Sequence, residues 1–505
     1  MGIASTTMAP KFNPSQILRT TNENTLLNSL FGFASEFAVL GYLDISRSLI
    51  SLINKHAPLH RQNFRGPKSL WLIWEMTGVW PEGEEEFVLQ AAKKEGVGRE
   101  EVIPKLSAEW EGSSWTAAGF KNKKEQVYDE ARLRKCVKKL ESFEGREGVD
   151  ARTGWMAMEK GSVLVKALEI AIVLREQSAN VGNNLPDVDE ILKWIAGRLH
   201  ANQMISSLTE SEKSWMILKD GALAKAVGVK DELIKELGSN VLETFRIRYE
   251  EGVQRSEMWE KSIEELLHVI SENTMDSPAT KILRKELYGA EEGKKRKPPT
   301  TILKDALPRK EGAELEERLG TALPEDYKAF LGITNGMDSS WNGISNDPPL
   351  YPASEVRWIT NAEPYFTDLD AQLLPGALNL LRDVYNKGKW PKVGTPLWIG
   401  LYDIYCVWLL PPVKVKELIQ LYLTGREKSP EIKAALEKAM IAWAGDLEAF
   451  EKLEWCVLTW ASGGAAHMEA YPSFRAYLVS RAEKSGRNLG DRDDVERACF
   501  SYSCR

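Results

Sequence analysis

Residues 289–300 separate two parts of this sequence that follow different patterns. The stretch contains the basic run Lys294 to Lys297 and then Pro298-Pro299, so it offers charge and proline but nothing that a core could bury. We predict an exposed basic and proline-rich linker here. Before it, apolar residues recur at helical spacing, and after it short strand-like segments alternate with helices. The chain is therefore expected to be multidomain, with an all-α domain followed by an α+β domain.

The part before the linker has the pattern of amphipathic helices. Ile45, Leu49 and Ile53 share one helical face, and residues 259–270 carry a second apolar stripe. Alternation of β-branched and polar residues, which indicates strands, is hardly seen. We predict an all-helical domain over residues 21–288.

The internal organisation of this helical domain stays open. The pair Trp155-Met156 is echoed by Trp215-Met216, each followed by a glycine at the same distance. The echo is compatible with a solenoid-like array of helical hairpins, with two subdomains, or with chance similarity. Residues 1–20 and 486–505 are expected to be a flexible N-terminus and a flexible tail.

The composition is that of a soluble globular protein. Of the 505 residues, 43% are hydrophobic and 28% are charged. No apolar run reaches the roughly 18–20 residues that a bilayer crossing needs. The formal net charge of −7 argues against general nucleic-acid binding, because neutralising phosphates requires an excess of cations.

Cysteine usage and the N-terminal sequence favour a cytoplasmic protein. The five cysteines are odd in number and scattered, which suits a reducing compartment, and no signal-peptide pattern opens the chain. The run Lys294 to Lys297 also resembles a nuclear import signal, although a merely solvated run is the favoured interpretation. Gly2 fits the loose pattern for myristoylation, a minor alternative since one acyl chain gives only marginal membrane binding.

Three spaced motifs mark the segment after the linker. The first starts with an acidic helix that ends at Leu319-Gly320 and continues through Leu-Pro-x-x-Tyr-x-x-Phe to Asn-Gly. Two strand segments follow at 396–400 and 405–409, and a closing Ser-Phe-x-x-Tyr-Leu motif begins at Ser473. The motif residues that we expect to be mainly structural are Leu323, Pro324, Tyr327, Phe330, Asn335, Gly336, Trp398 and Gly400.

In this order the motifs resemble those of the SUKH superfamily, in particular the fungal Smi–Knr cell-wall-assembly regulators, over residues 301–485. The resemblance implies a SUKH-like α+β fold and a protein-binding role. Bacterial members of the family are immunity proteins that neutralise toxins, whereas the fungal members link signalling kinases to wall synthesis. A long helical extension is more like the fungal members. The resemblance therefore implies a non-catalytic scaffold or regulator in fungal cell-wall integrity, glucan synthesis or growth signalling, with other proteins of these systems as partners.

Motifs of catalysis and cofactor binding are missing from the sequence. There is no phosphate-binding loop, no dinucleotide fingerprint and no His-Glu-x-x-His. His56 and His60 are four residues apart, but Pro58 breaks the helix that would put them on one face. We therefore expect no catalytic residues, no cofactor and no metal. The alternatives are an enzyme whose site is assembled at the domain junction and a toxin-neutralising protein of the immunity type.

The candidate protein-binding residues lie in two departures from the family pattern. The region 342–389 is longer and richer in proline than a minimal domain, and Trp341, Trp358 and Trp390 lie in it or beside it. Loop tryptophans either form interaction hot spots or hold an ordered loop in place, and we favour the second role. Tyr402 and Asp403, at the turn where the family often has Gly-Asp, are two further candidates. In contrast, Trp398 and Trp408 are expected in the core at opposite ends of the hairpin.

A cluster of basic residues lies in the helical part, between Lys121 and Lys139. Its eight Lys and Arg residues are interrupted by three acidic residues. A solvated helix face is the favoured interpretation. Contact with anionic lipid or with a phosphoprotein, and thus a weak peripheral membrane contact, is the second.

Overall fold

The computed structural model shows a chain that forms two compact units, which divide after Gly252. The residues described are 12–56, 74–75, 77–81, 84–98, 128–144, 154–177, 185–197, 208, 211–277, 280, 299–343, 346–360, 364–374, 381, 390–402, 405–427, 429–461 and 467–486. Of these, the first unit contains helices and no strand, whereas the second contains helices and a five-stranded antiparallel sheet. The predicted combination of an all-α part and an α+β part is thus confirmed.

The described helices of the first unit pack around one hydrophobic core. They are α1 Pro14–Arg19, α2 Glu23–Val39, α3 Leu43–His56, α4 Glu84–Glu95, α5 Glu130–Glu144, α6 Gly154–Glu176, α7 Val188–Ala196, α8 Glu212–Leu218, α9 Ala222–Val227 and α10 Asp231–Glu250.

Side-chain caps and apolar faces explain where these helices begin and what they bury. The carboxylate of Asp187 accepts a hydrogen bond from the Glu190 backbone N–H at 2.8 Å, which caps α7. Ile191 and Ile195 of the same helix are fully buried on one face. The prediction of a flexible segment over residues 1–20 is wrong at residues 14–19. These form α1, because Asn13 caps the helix and Ile17 is buried.

The second unit begins with helices and places its sheet in the second half. Its elements are a 3₁₀ helix Glu257–Glu260, α11 Ile263–Asp276, α12 Arg309–Leu319, α13 Glu325–Ile333, β1 Ser340–Trp341, β2 Asn346–Asp347, β3 Arg357–Trp358, α14 Pro364–Thr367, β4 Leu397–Tyr402, β5 Tyr405–Leu410, α15 Pro412–Gly425, α16 Pro430–Ala444, α17 Leu447–Glu451, β6 Cys456–Ala461, β7 His467–Tyr471 and α18 Phe474–Ser485.

The five-stranded sheet has the order β3-β4-β5-β6-β7, and every neighbouring pair is antiparallel. One of its faces packs against the helices α11, α12, α13 and α18. Because side chains alternate along a strand, the opposite face carries Trp398, Trp408 and Trp460. Trp398 lies directly opposite Trp408 in the register, so the expectation that they occupy opposite ends of the hairpin is wrong. At the outer strand β7, the indole Nε1–H of Trp443 donates to the Ala470 carbonyl at 2.8 Å.

The two units do not divide at the predicted linker. Leu266, Leu267 and Ile270 of α11 are buried in the core of the second unit, so the prediction that this helix belongs to the domain over 21–288 is wrong. An apolar stripe shows that a helix buries one face, but not which neighbour covers it. The linker residues 289–298 and the predicted tail from 487 onward lie outside the described residues.

Candidate protein-binding site

Trp341 is enclosed by the second unit. Its side chain is only 3% exposed, and its backbone N–H donates to Thr274 Oγ1 at 3.0 Å, which ties β1 to α11. A partner could contact this indole only after a rearrangement that exposes the Trp341 side chain. The position therefore favours the structural role over that of a binding hot spot.

Trp358 and Trp390 are half-buried and hold their segments through their indole N–H groups. The Nε1–H of Trp358 donates to the Leu319 carbonyl at 2.9 Å, at the end of α12. That of Trp390 donates to the Ala371 carbonyl at 2.5 Å. Both hydrogen bonds join segments that are distant in sequence, so these tryptophans also stabilise the long region between β2 and β4.

Tyr402 differs from the tryptophans because it points into solvent. It is 53% exposed at the end of β4, and its cross-strand partner Tyr405, on β5, is 37% exposed. Asp403, the remaining candidate, lies outside the described residues. Tyr405 is in turn paired with Ala461 of β6. We call this edge of the sheet, where β4 and β6 end and β5 begins, the turn end.

A third exposed tyrosine, which the sequence analysis did not single out, lies near the turn end. Tyr365 of α14 is 62% exposed, and its ring packs edge-on against Trp460 at a centroid distance of 5.4 Å. Trp460 is adjacent to Ala461, so this contact places Tyr365 close to the turn end on the other face of the sheet. The only sequence signal was an aromatic pair, Tyr365-Phe366, within a region without clear periodicity.

The motif residues lie inside the second unit and shape its core. The ring of Tyr327 meets that of Phe474 edge-on at 4.8 Å, and Phe330 lies 5.1 Å from the same ring. The first motif is thus in direct contact with the closing one. Leu323, Tyr327 and Phe330 are all buried, and α13 begins directly after Pro324.

Asn335, Gly336 and Gly400 allow backbone segments to approach one another closely. The Asn335 side chain accepts a hydrogen bond from the Ala353 N–H at 2.7 Å. Gly336 has φ = 88°, and a Cβ there would lie 2.6 Å from the Leu350 carbonyl oxygen. At Gly400 a Cβ would lie 2.4 Å from the Pro349 carbonyl oxygen. These residues thus shape the path of the backbone.

Three tryptophans of the sheet surround one phenylalanine. The ring centroid of Phe366 lies 5.1 Å from that of Trp398, 5.9 Å from Trp408 and 5.7 Å from Trp460. The guanidinium of Arg357 stacks on Trp398 at 4.8 Å, which covers this ring with a cation. We refer to Trp398, Trp408 and Trp460 as the tryptophan box.

The described thiols and metal-ligating side chains show little reactive potential. Burial raises the pKa of Cys136 and of Cys406 to about 12, so both remain thiols at neutral pH. Among the described residues, no group of three or more His, Cys, Asp or Glu side chains lies close enough together to hold a metal ion.

The basic cluster lies partly on α5, whose residues Leu133, Cys136 and Leu140 are buried. Of the cations on this helix, Arg134, Lys135 and Lys138 are exposed, whereas Arg132 and Lys139 are half-buried. Two of them are paired locally, Arg132 with Asp129 at 2.6 Å and Arg134 with Glu130 at 3.3 Å. Residues 121–127 of the cluster lie outside the described part of the chain.

Comparisons with protein-family models, with curated proteins and with solved structures found no match to this chain. In the parts of the chain that the structure describes, no helix has the length and apolar character that a membrane crossing requires.

Proposed function

We propose that this chain is a non-catalytic protein-interaction scaffold or regulator, acting in the cytoplasm through a second unit with a SUKH-like fold. Cell-wall integrity, glucan synthesis and growth signalling in fungi are the processes that the resemblance suggests. Its partners would be protein components of those systems.

The contact between the two motifs supports this fold assignment. Tyr327 and Phe474 are far apart in sequence, yet their rings touch beneath the antiparallel sheet. Two motifs that define a domain are expected to meet in its core in this way.

The observation that carries the binding role is a set of exposed tyrosines around the turn end. Tyr402 and Tyr405 lie on the strands, and Tyr365 of α14 lies near them on the other face of the sheet. They are 37–62% exposed, whereas most large apolar side chains of the unit are buried. Tyrosine is enriched at protein interfaces, because its ring buries a large area at low entropic cost while its hydroxyl remains able to form hydrogen bonds. Exposed tyrosines around one edge of the sheet are thus a suitable surface for a partner.

Affinity purification followed by mass spectrometry tests this proposal. The full chain would be compared with the triple variant Tyr365→Ala/Tyr402→Ala/Tyr405→Ala. Val413→Ala serves as the matched control, because Val413 is 82% exposed in the same unit but lies on α15. We expect the triple variant to remain folded, as circular dichroism would show, but to lose specific partners, and the control to keep them. An identical set of partners for all three proteins would contradict the proposal.

A further inference from the structure

The tryptophan box is built by the register of three adjacent strands. Trp398 on β4 is the direct cross-strand partner of Trp408 on β5. The indoles of Trp408 and Trp460 are nearly parallel, with 15° between their planes and 6.0 Å between their centroids. All three side chains thus stand on one face of a hydrogen-bonded sheet, which fixes the spacing of their backbone positions.

The phenyl ring inside the box belongs to a short helix that is not stable by itself. Phe366 belongs to α14, which has only four residues, and a helix of this length has no independent stability. The following residues are held by backbone hydrogen bonds to the segment 391–394, including Gly394 N–H to the Thr367 carbonyl at 3.0 Å and Val393 N–H to the Leu369 carbonyl at 2.8 Å. Phe366 is half-buried and Tyr365 beside it is exposed, so the box opens to solvent where α14 lies.

The box contains one enclosed polar donor. The Nε1–H of Trp408 is enclosed and has no hydrogen-bond acceptor among the described residues, and its side chain is fully buried. An enclosed donor without an acceptor destabilises the folded state, and a phenyl ring offers it no lone pair. A ligand that brought both an aromatic ring and a carbonyl oxygen would satisfy the box better than Phe366 does.

We propose that the tryptophan box is a binding site for an aromatic side chain of a partner peptide, and that Phe366 is its intramolecular plug. The incoming ring takes the place of Phe366, and a peptide carbonyl next to it accepts the hydrogen bond of Trp408 Nε1. This inference rests on the proposed protein-binding function and names the chemistry of the partner. Phe366 must leave the box before the partner's ring can enter it. The apparent affinity is therefore the affinity of the open box multiplied by the fraction of molecules in which the box is open.

A cross-link between the plug segment and its neighbour provides the test. Asp370 and Lys392 form an antiparallel bridge, so a cysteine pair at these positions is suitably placed for a disulfide. The probe is N-acetyl-phenylalanine methylamide, which carries one phenyl ring and two carbonyl acceptors. N-acetyl-alanine methylamide is the control probe. Binding to the full chain is followed by NMR on the indole N–H signal of Trp408, which Trp408→Phe assigns.

We expect the phenylalanine probe to shift the Trp408 signal of the wild type saturably. Phe366→Ala should bind it about tenfold more tightly, because the plug no longer competes. The oxidised Asp370→Cys/Lys392→Cys variant should lose binding, and reduction should restore it. Phe366→Leu replaces Phe366→Ala if the latter unfolds.

Equal binding by the oxidised and reduced forms would overturn the proposal, as would a Trp408 signal that the probe does not move in a folded Phe366 variant. Either result can be distinguished from a failure of the proposed function. The probe experiment does not use the cellular partner, so the box can bind a phenyl ring even if the triple tyrosine variant keeps every partner.

Discussion

Lys166 and Glu169 form an ion pair inside the first unit, one turn apart on α6, and their side chains are 0% and 2% exposed. The other carboxylate oxygen of Glu169 accepts a hydrogen bond from Ser211 Oγ at 2.6 Å. Ser211 in turn caps α8 by accepting from the Ser214 N–H at 3.2 Å. The buried charges thus connect α6 with the start of α8.

We predict that the two charges depend on each other. Lys166→Met should lower the free energy of unfolding by about 3–5 kcal/mol, because it leaves a carboxylate buried without its cation. The double variant Lys166→Met/Glu169→Met should recover most of this loss, since no uncompensated charge remains. Urea denaturation followed by far-ultraviolet circular dichroism measures both. Additive effects of the two single substitutions would show that the pair is not coupled.

A second prediction concerns the pH dependence of stability. One carboxylate oxygen of Glu36, on α2, is enclosed without a hydrogen-bond partner among the described residues, and burial raises the pKa of this carboxyl to about 8. In the unfolded chain the same carboxyl titrates at its ordinary pKa near 4.5. The folded state therefore binds more protons between these values, and stability falls as the pH rises from about 4.5 to 8.

Glu36→Gln removes the ionisable group and should abolish this contribution. We expect the variant to be more stable than the wild type by on the order of 5 kcal/mol at pH 9, with a much smaller difference at pH 5. Urea denaturation at several pH values measures the effect, and the exposed Glu232→Gln is the control for net charge. A difference that does not change between pH 5 and pH 9 would exclude titration of Glu36 as its cause.

The third prediction compares two glycines of neighbouring segments. Gly336→Ala should destabilise the second unit by about 2–4 kcal/mol, because it combines a left-handed φ of 88° with a Cβ only 2.6 Å from a carbonyl oxygen. Gly332→Ala, on α13, should be neutral or stabilising by up to about 1 kcal/mol, because no atom lies within 4 Å of the added Cβ. Thermal melting compares the stability of the two variants. Equal melting temperatures would argue against the close approach of the Leu350 carbonyl oxygen to Gly336.

The fourth prediction distinguishes the two roles that the sequence left open for the loop tryptophans. Trp341→Ala should cost about 3–5 kcal/mol of stability, since it removes a large buried side chain. Trp358→Phe should cost about 1 kcal/mol, the usual value of one hydrogen bond. Differential scanning calorimetry would measure both. Loss of a partner at an unchanged melting temperature would instead support the hot-spot role of Trp341.

Helices and their buried faces were largely predictable from the sequence, whereas their neighbours were not. The stripe of α11 was read correctly as a buried face, but periodicity carries no information on which core receives it. The helix α1 was missed because it is short and Ile17 is its only buried residue. In the second unit, Leu323, Tyr327 and Phe330 were expected to be mainly structural, and they are buried in the core beside the sheet.

The tryptophan box could not be predicted for a different reason. Its geometry depends on the register between β4 and β5, and a shift of one residue would send Trp398 to the other face of the sheet. Its occupant, Phe366, arrives from a segment whose sequence shows neither helical nor strand periodicity. Tyr365, in the same segment, lies near the turn end because its ring contacts Trp460, which is distant in sequence.

The hydrogen bond between Trp443 and Ala470 bears on how the protein behaves at high concentration. β7 is the outer strand of the sheet, and such strands are templates for pairing with a strand of another molecule. Because the indole already occupies the carbonyl of Ala470, an incoming strand would have to displace Trp443 before it could pair there. One side chain from a neighbouring helix thus hinders the pairing of another strand at this position of β7.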